Sequence, residues 1–195
     1  MSITTASRKG KGRRLQNYIV EYLYKKYPTL DENLGLSHFT LLVDTMNSNG
    51  YEQYEISNYA KDGVISRHNS NYWRNAPYIG IGPSAHSFNL TSRQWNSSTI
   101  NKYIDNIDMG LNYSEKEELS IIDRYNEFVM LGLRTSWGVN ISDLDKLFGK
   151  KYKGYFLSKL KSKKVKDFII ANNNSFVLSK KGKYLADGIA SELFI

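Results

Sequence analysis

The segment SRHNSNYWRNAPYIGIGPSAHSF, residues 66–88, constrains this chain more than any other stretch. It holds two of the three histidines, one of the three tryptophans and two of the three prolines. Gly80, Gly82 and Pro83 exclude regular helix there, so the segment reads as loop-like. Paired glycines let a backbone come close to a ligand. A lone Gly-x-Gly is equally a tight turn, and no dinucleotide fingerprint follows it.

Helical signals lie on both sides. RLQNYIVEYLYKKY places Leu15, Tyr18, Ile19 and Tyr22 on one face, before Pro28 breaks the chain. DENLGLSHFTLLVDTMNSNG repeats the pattern with Phe39, Leu42, Val43 and Met46, and Gly50 is its C-terminal cap. YEQYEIS then alternates, with Glu52, Tyr54 and Ile56 on one face and Tyr51, Gln53 and Glu55 on the other. It reads as a strand entered from a helix, the α-to-β half of an α/β unit. A lone unit cannot cover both faces of such a strand. Its unpaired edges lead us to expect that 51–57 pairs with a second copy of the chain, giving a homodimer, or packs as an irregular arm.

Beyond the constraining segment, SSTINKYIDNIDMG predicts a short helix. SEKEELSIIDRYNEFVMLGLRTSWGV predicts a longer one, with a capping box of Ser114 and Glu117 and a stripe of Ile121, Ile122, Tyr125, Phe128 and Val129. SDLDKLFG is a short helix capped by Ser142 and stopped by Gly149, and YKGYFLSKLKSKK is a basic helix. VKDFIIANNNSFVLS is two strands around an Asn-rich turn. SKKGKYLADGIASELF is a closing helix burying Leu185, Ile189 and Leu193. Helix, helix, hairpin, helix is the layout of a winged helix.

Net charge is +8 over 195 residues, unevenly placed. Seven basic residues precede Tyr27, and eleven lysines lie within 150–183 against the single acid Asp167. Such blocks are nucleic-acid or acidic-partner footprints, or simply a solvated face. Lys159, Lys161, Lys163, Lys164 and Lys166 could hold phosphates. Base reading favours arginine, asparagine and glutamine on the recognition helix, and this helix offers lysines and aromatics, which weighs against DNA. No apolar run is long enough to span a membrane and no secretory signal is visible. Zero cysteines mean no disulfides and no iron–sulfur ligands from this chain. The chain reads as cytoplasmic.

Two histidines in the constraining segment bring metal chemistry into view. A closed zinc site wants three or four ligands, and the third histidine, His38, sits on the preceding helix. Haem needs one axial histidine, His68 or His86, with apolar walls. Tyr72, Trp73, Tyr78, Ile81 and Phe88 could be those walls, and Arg67 and Arg74 could pair with propionates. The alternative is that the aromatics make core and His86 satisfies backbone groups.

YEQYEISNYA, SRHNSNYW, IGIGPSAHSF, FVMLGLRTSWGV and LSKKGKYLADGIASELF, in this order, resemble the C-terminal half of radical S-adenosylmethionine proteins related to oxygen-independent coproporphyrinogen III oxidase (the HemN/HemW family). HNSNYW brings the chain closer to the haem-binding, chaperone-like HemW branch. The resemblance covers about 28–195. It implies an α+β, mostly helical fold: the last αβ piece of a partial (β/α) barrel (28–60), then a HemN-type C-terminal domain (61–195) with a winged-helix-like part (140–195). Residues 1–27 are a basic tail and short helix. It implies that His68, Asn69, Tyr72 and Trp73 are haem or porphyrin contacts, and that Gly80, Gly82, Ser84 and His86 border the substrate pocket. The family's three-cysteine motif and its S-adenosylmethionine-binding elements are missing, so the chain reads as a truncated or deliberate fragment. The family's 4Fe–4S cluster and S-adenosylmethionine belong to that missing barrel portion, itself an implied partner. No cofactor but haem is expected here, and no radical chemistry from this chain alone. The rival is a winged-helix nucleic-acid or protein-interaction domain using the basic 150–183 face.

Overall fold

A computed structural model of the chain describes residues 31–195; the expected helix at Leu15–Tyr22 and the basic tail lie outside them. The first described element, α1 (Glu32–Ser48), ends where Gly50 takes φ +79°, as the cap signal requires. Along its stripe Val43 is buried, whereas Leu42 is exposed. Residues Val43–Ile195 form one compact unit.

The strand after α1 finds its partner inside the chain. β1 (Tyr51–Glu55) pairs antiparallel with β2 (Asn58–Lys61), Tyr51 opposite Lys61, with an irregularity between Gln53 and Glu55. The other edge is clipped as well: Ile56 N–H donates to Arg134 O and Ser136 N–H donates to Tyr54 O, both at 3.0 Å. The expectation of an exposed strand that pairs with a second copy, or lies as an irregular arm, is therefore corrected. The two-residue turn at Ile56–Ser57, which brings β2 back, and the 134–136 connection supply the missing hydrogen bonds in cis. With both edges engaged, Gln53, Tyr54 and Glu55 are all buried, and the simple alternation is lost.

The segment expected to be loop-like opens with a helix, α2 (Arg67–Trp73), because Ser66 caps it: its Oγ accepts the Asn69 N–H at 3.2 Å. A three-stranded antiparallel sheet follows, made of β3 (His86–Phe88), β4 (Ser92–Asn96) and β5 (Ser114–Glu118) in that order, with α3 (Ile100–Asp108) between β4 and β5. SEKEE is thus a strand, not a helix start. Its residues pair along β4 from Ser92–Glu118 to Asn96–Ser114, and its charges suit an edge.

The long helix α4 (Ile121–Leu133) begins six residues later than its predicted box. The real box is Ser120 with Asp123: Ser120 Oγ accepts the Asp123 N–H at 3.1 Å, and Asp123 Oδ2 accepts the Ser120 N–H at 2.9 Å. These bonds from Ser120 hold the Asp123 carboxyl below the ordinary carboxylate range. Ser120→Ala is expected to cost about 1 kcal/mol, seen as a melting point lower by roughly 2–4 °C. Because the folded pKa is depressed, the stabilisation is present above the ordinary carboxylate pKa and fades as pH falls through the folded value. A melting curve unchanged between pH 7 and pH 3 relative to Ser120→Ala would remove the cap from the account. Of the predicted stripe, Tyr125 and Val129 are fully buried, while Ile121 and Ile122 stay exposed.

The rest packs on α4. β6 (Val139–Asn140) leads into α5 (Ile141–Phe148), α6 (Lys150–Lys159), the hairpin β7 (Ile169–Asn172) with β8 (Ser175–Leu178), and two short helices, α7 (Lys180–Tyr184) and α8 (Ala186–Glu192). The second sheet runs β6-β8-β7. Asn140, not Ser142, caps α5: its Oδ1 accepts the Ser142 and Asp143 N–H groups at 2.9 and 3.0 Å. Gly149 ends α5 at φ +84°. The closing helix breaks at Leu185 (φ −105°, ψ 21°), which leaves Leu185 46% exposed while Ile189 and Leu193 are buried. Tyr125, Val129, Leu133, Leu144, Phe156, Val165, Leu178 and Leu193 form the core. All pairings of strands among the described residues are antiparallel, so the chain is α+β.

Candidate functional site

Helix α2 is one turn and a half of His-Asn-x-x-Tyr-Trp, and its spacing gives it two faces. Residues i and i+4 share a face, so His68 goes with Tyr72 and Asn69 with Trp73. The structure uses the two faces differently. Outward, the His68 and Tyr72 rings meet edge-on at 5.1 Å. Tyr72 meets Tyr78 at 5.0 Å, and Tyr78 meets Phe88 of β3 at 6.0 Å. His68 and Tyr72 are exposed, and Phe88 anchors the series in the sheet.

Inward, Asn69 Nδ2 donates to Tyr54 OH at 3.0 Å. The Trp73 indole lies under the Arg134 guanidinium, 5.2 Å from its centroid. Trp73 Nε1 is buried without a hydrogen-bond partner among the described residues. The next residue, Arg74, covers Trp137 at 5.0 Å. Trp73, Arg74, Phe128, Trp137 and Asp143 border a cavity of about 390 Å³.

The glycine segment is built from close backbone contacts. A Cβ on Gly80 would stand 2.2 Å from His86 O, so what approaches Gly80 is the chain itself. Gly80 N–H donates to Ser87 Oγ at 3.0 Å. Asn96, buried at the end of β4, donates through Nδ2 to Gly82 O at 2.9 Å and Gly80 O at 3.3 Å. Gly82 (φ +102°) donates its N–H to Tyr103 OH at 3.2 Å, and Ser84 (φ +60°) donates its N–H to Ser97 O at 3.1 Å. A fixed loop results, from which Ile79 and Ile81 project, 86% and 88% exposed. His86 is exposed on β3, 6.5 Å from the ring of its cross-strand neighbour Trp95. Beside Tyr78 and Phe88 opens a cavity of about 740 Å³, bordered also by Ile79, Ser87, Gln94 and Lys116.

Of the residues picked out by sequence, the structure gathers His68 and Tyr72 beside Tyr78, sets Asn69 and Trp73 against the interior, and puts Gly80, Gly82, Ser84 and His86 in the loop and first strand of the sheet. Tyr54, Glu55, Asn96 and Arg134, which hold these pieces, were not singled out. The one local signal was a charged Glu55 inside an alternating strand.

This donor set offers a tetrapyrrole one exposed imidazole with three aromatic rings in series behind it, of which Tyr78 and Phe88, at the far end, border the larger cavity. A 4Fe–4S cluster does not fit it, because cluster iron takes thiolates and the sequence has no cysteine. No helix among the described residues is long and apolar enough to cross a membrane.

Residues 119–185 match the HemN C-terminal domain. The heme chaperone HemW of Bacillus subtilis is 33% identical over 152 residues, covering 77% of this chain and 40% of that protein. HemW of Synechocystis is 36% identical over 104 residues, covering 52% of this chain and 25% of the relative. The structure of Escherichia coli coproporphyrinogen III oxidase, HemN, a radical SAM enzyme, superposes with a TM-score of 0.60 at 14% identity, over 80% of this chain and 39% of that one. This last likeness concerns the fold. The chain spans two fifths or less of the length of these proteins.

Proposed function

We propose, for a chain that corresponds to the C-terminal part of a HemN/HemW-like protein of the radical S-adenosylmethionine, haem-related family, that it binds haem through the outward face of α2. The observation that carries this reading is the series His68–Tyr72–Tyr78–Phe88, which runs from an exposed imidazole to the edge of an open cavity. Bound haem would supply an iron able to take a nitrogen ligand. His68 offers that iron a nitrogen ligand. Tyr72 contacts the imidazole edge-on and limits its rotation, and Tyr78 and Ile79 offer apolar surface to the macrocycle. Asn69 and Trp73 then serve by holding the helix, not by touching the ligand. The domain division at about residue 60 belongs to the same proposal, with the 28–60 segment as barrel remnant and partner face for the rest of such a protein. No radical step is assigned to these residues.

A haem titration followed by visible absorbance tests the reading. Wild type is expected to give a saturable Soret shift that His86→Ala keeps. His68→Ala should weaken binding by at least about tenfold, or ~1.4 kcal/mol. A wild-type spectrum no different from a nonspecific protein control would sink the proposal.

A polyanion-binding role for 150–183 has less support. Lys153, Lys164 and Lys180 are engaged by Asp145, Glu192 and Asp44, Lys159 covers Tyr155, and Lys183 donates to Gln53 Oε1 at 3.0 Å. The exposed remainder is Lys150, Lys151, Lys161, Lys163, Lys166 and Lys181. DNA affinity with a steep salt slope would favour this second reading.

A further inference from the structure

We infer that Arg134, at the C-terminal cap of α4, is the positioning residue of the His68-bearing helix; the inference rests on the reading of His68 and Tyr72 as the haem-facing pair. Seven residues cannot hold a helix by their own hydrogen bonds, so the rotation of α2 about its axis is set from outside. That rotation decides which side chains face out, since each residue turns the face by about 100°. On the inner face, where Ser70 is buried, two named contacts hold it: Asn69 to Tyr54, and Trp73 to Arg134.

Arg134 can act as a fixed plate because the rest of its guanidinium is spoken for. Nε and Nη2 both donate to Glu55 Oε1, at 3.2 and 3.0 Å, and Nη1 donates to Asp187 Oδ1 at 2.6 Å. Glu55 is itself pinned: its Oε2 accepts from Ser57 N–H at 2.9 Å and from Asn58 Nδ2 at 2.5 Å. The Arg134 carbonyl accepts the Ile56 N–H at 3.0 Å. The buried Glu55 carboxylate fixes the plane, with Asp187 at its solvent edge, and the open face of that plane receives the indole. A lysine could keep the charge but not the fork or the stacking surface. The same strand carries Tyr54 and Glu55, so both anchors of α2 lead back to β1. Arg134 thus joins β1, α2, α4 and α8, and the His68–Tyr72 face is outward because Trp73 is held inward.

The test reads His68 in the ligand-free protein and the haem complex separately. The His68 and Tyr72 rings meet edge-on at 5.1 Å, so the shifts of the His68 ring protons carry the current of the Tyr72 ring; Tyr72→Ala gives the shifts without it. In Arg134→Lys the His68 signal is expected to move toward the Tyr72→Ala position, and the His68-dependent haem affinity to fall about tenfold. Val165→Ala, a core change on none of the elements that Arg134 joins, should move neither. Trp73→Leu leaves the Glu55–Arg134–Asp187 set intact and should displace the His68 signal in the same way, which covers the case in which Arg134→Lys does not fold. An unmoved His68 signal in Arg134→Lys, or in Trp73→Leu if that is the folded variant, overturns the inference. A moved signal in a protein whose wild type gives no haem shift upholds the positioning role and refutes the haem reading.

Discussion

Glu55→Ala is expected to cost about 3 kcal/mol of folding stability, because it removes a buried carboxylate from a largely buried guanidinium, 20% exposed. Glu55 is 2% exposed and accepts from the Arg134 side chain, the Ser57 amide and Asn58. Without it, Arg134 keeps only Asp187, whose side chain is 75% exposed and therefore a weak, screened partner. Hairpin β1–β2 also loses the acceptor that closes its turn. For a chain of this size the loss corresponds to a melting point lower by roughly 10 °C, a large share of a typical total of about 5–15 kcal/mol. Thermal unfolding followed by circular dichroism reads it directly. Replacing both partners, Glu55→Leu with Arg134→Leu, should cost less than Glu55→Ala alone, since no buried charge is left behind. A loss under about 1 kcal/mol for Glu55→Ala would mean that the ion pair behaves as a surface contact.

Gly80→Ala is expected to loosen the rim of the larger cavity while leaving the core around Tyr125 intact. The added Cβ would meet His86 O at 2.2 Å and His86 C and N at 2.7 Å. Those are backbone atoms, so the methyl cannot be absorbed by a rotamer change. Either the 78–80 segment or β3 must move, at a cost of about 1–3 kcal/mol. The reciprocal bonds between Tyr78 and Phe88, both 2.9 Å, are the nearest to break. Amide exchange at those two residues should therefore quicken by at least about tenfold, in step with that cost. Gly154→Ala is the control of opposite sign. Its Cβ meets nothing within 4 Å in α6, and alanine is worth about 0.5–1 kcal/mol over glycine in a helix. Unchanged exchange at Tyr78 and Phe88 in Gly80→Ala would show that the loop gives way without cost.

Much of the back of the molecule was legible because its signals are local. The Tyr125–Val129 spacing, the stop at Gly149 and the Asn-rich turn at Asn173 (φ +51°) each act within a few residues. Family resemblance added the HemN-like character that the matched 119–185 segment supports. At the start of α4 the apparent cap signal misled. Ser114 and Glu117 have box spacing, but β4 offers SEKEE a full row of backbone partners, and pairing overrode propensity. The short helices α2 and α8 were missed or merged, because a single cap or a single break at Leu185 leaves almost no periodic trace.

Residue content alone sets the chemistry available: no thiolate for a cluster, a His-x-x-x-Tyr pair beside an Asn-x-x-x-Trp pair, and glycines where the backbone must come close. Only the tertiary structure decided which pair faces out. That choice depends on Arg134 and Glu55, 79 positions apart in the chain, and on a tyrosine 15 residues before Asn69. A buried charge has no sequence periodicity of its own; its place is set by whether a partner arrives to offset desolvation, and that partner is known only when the chain has folded.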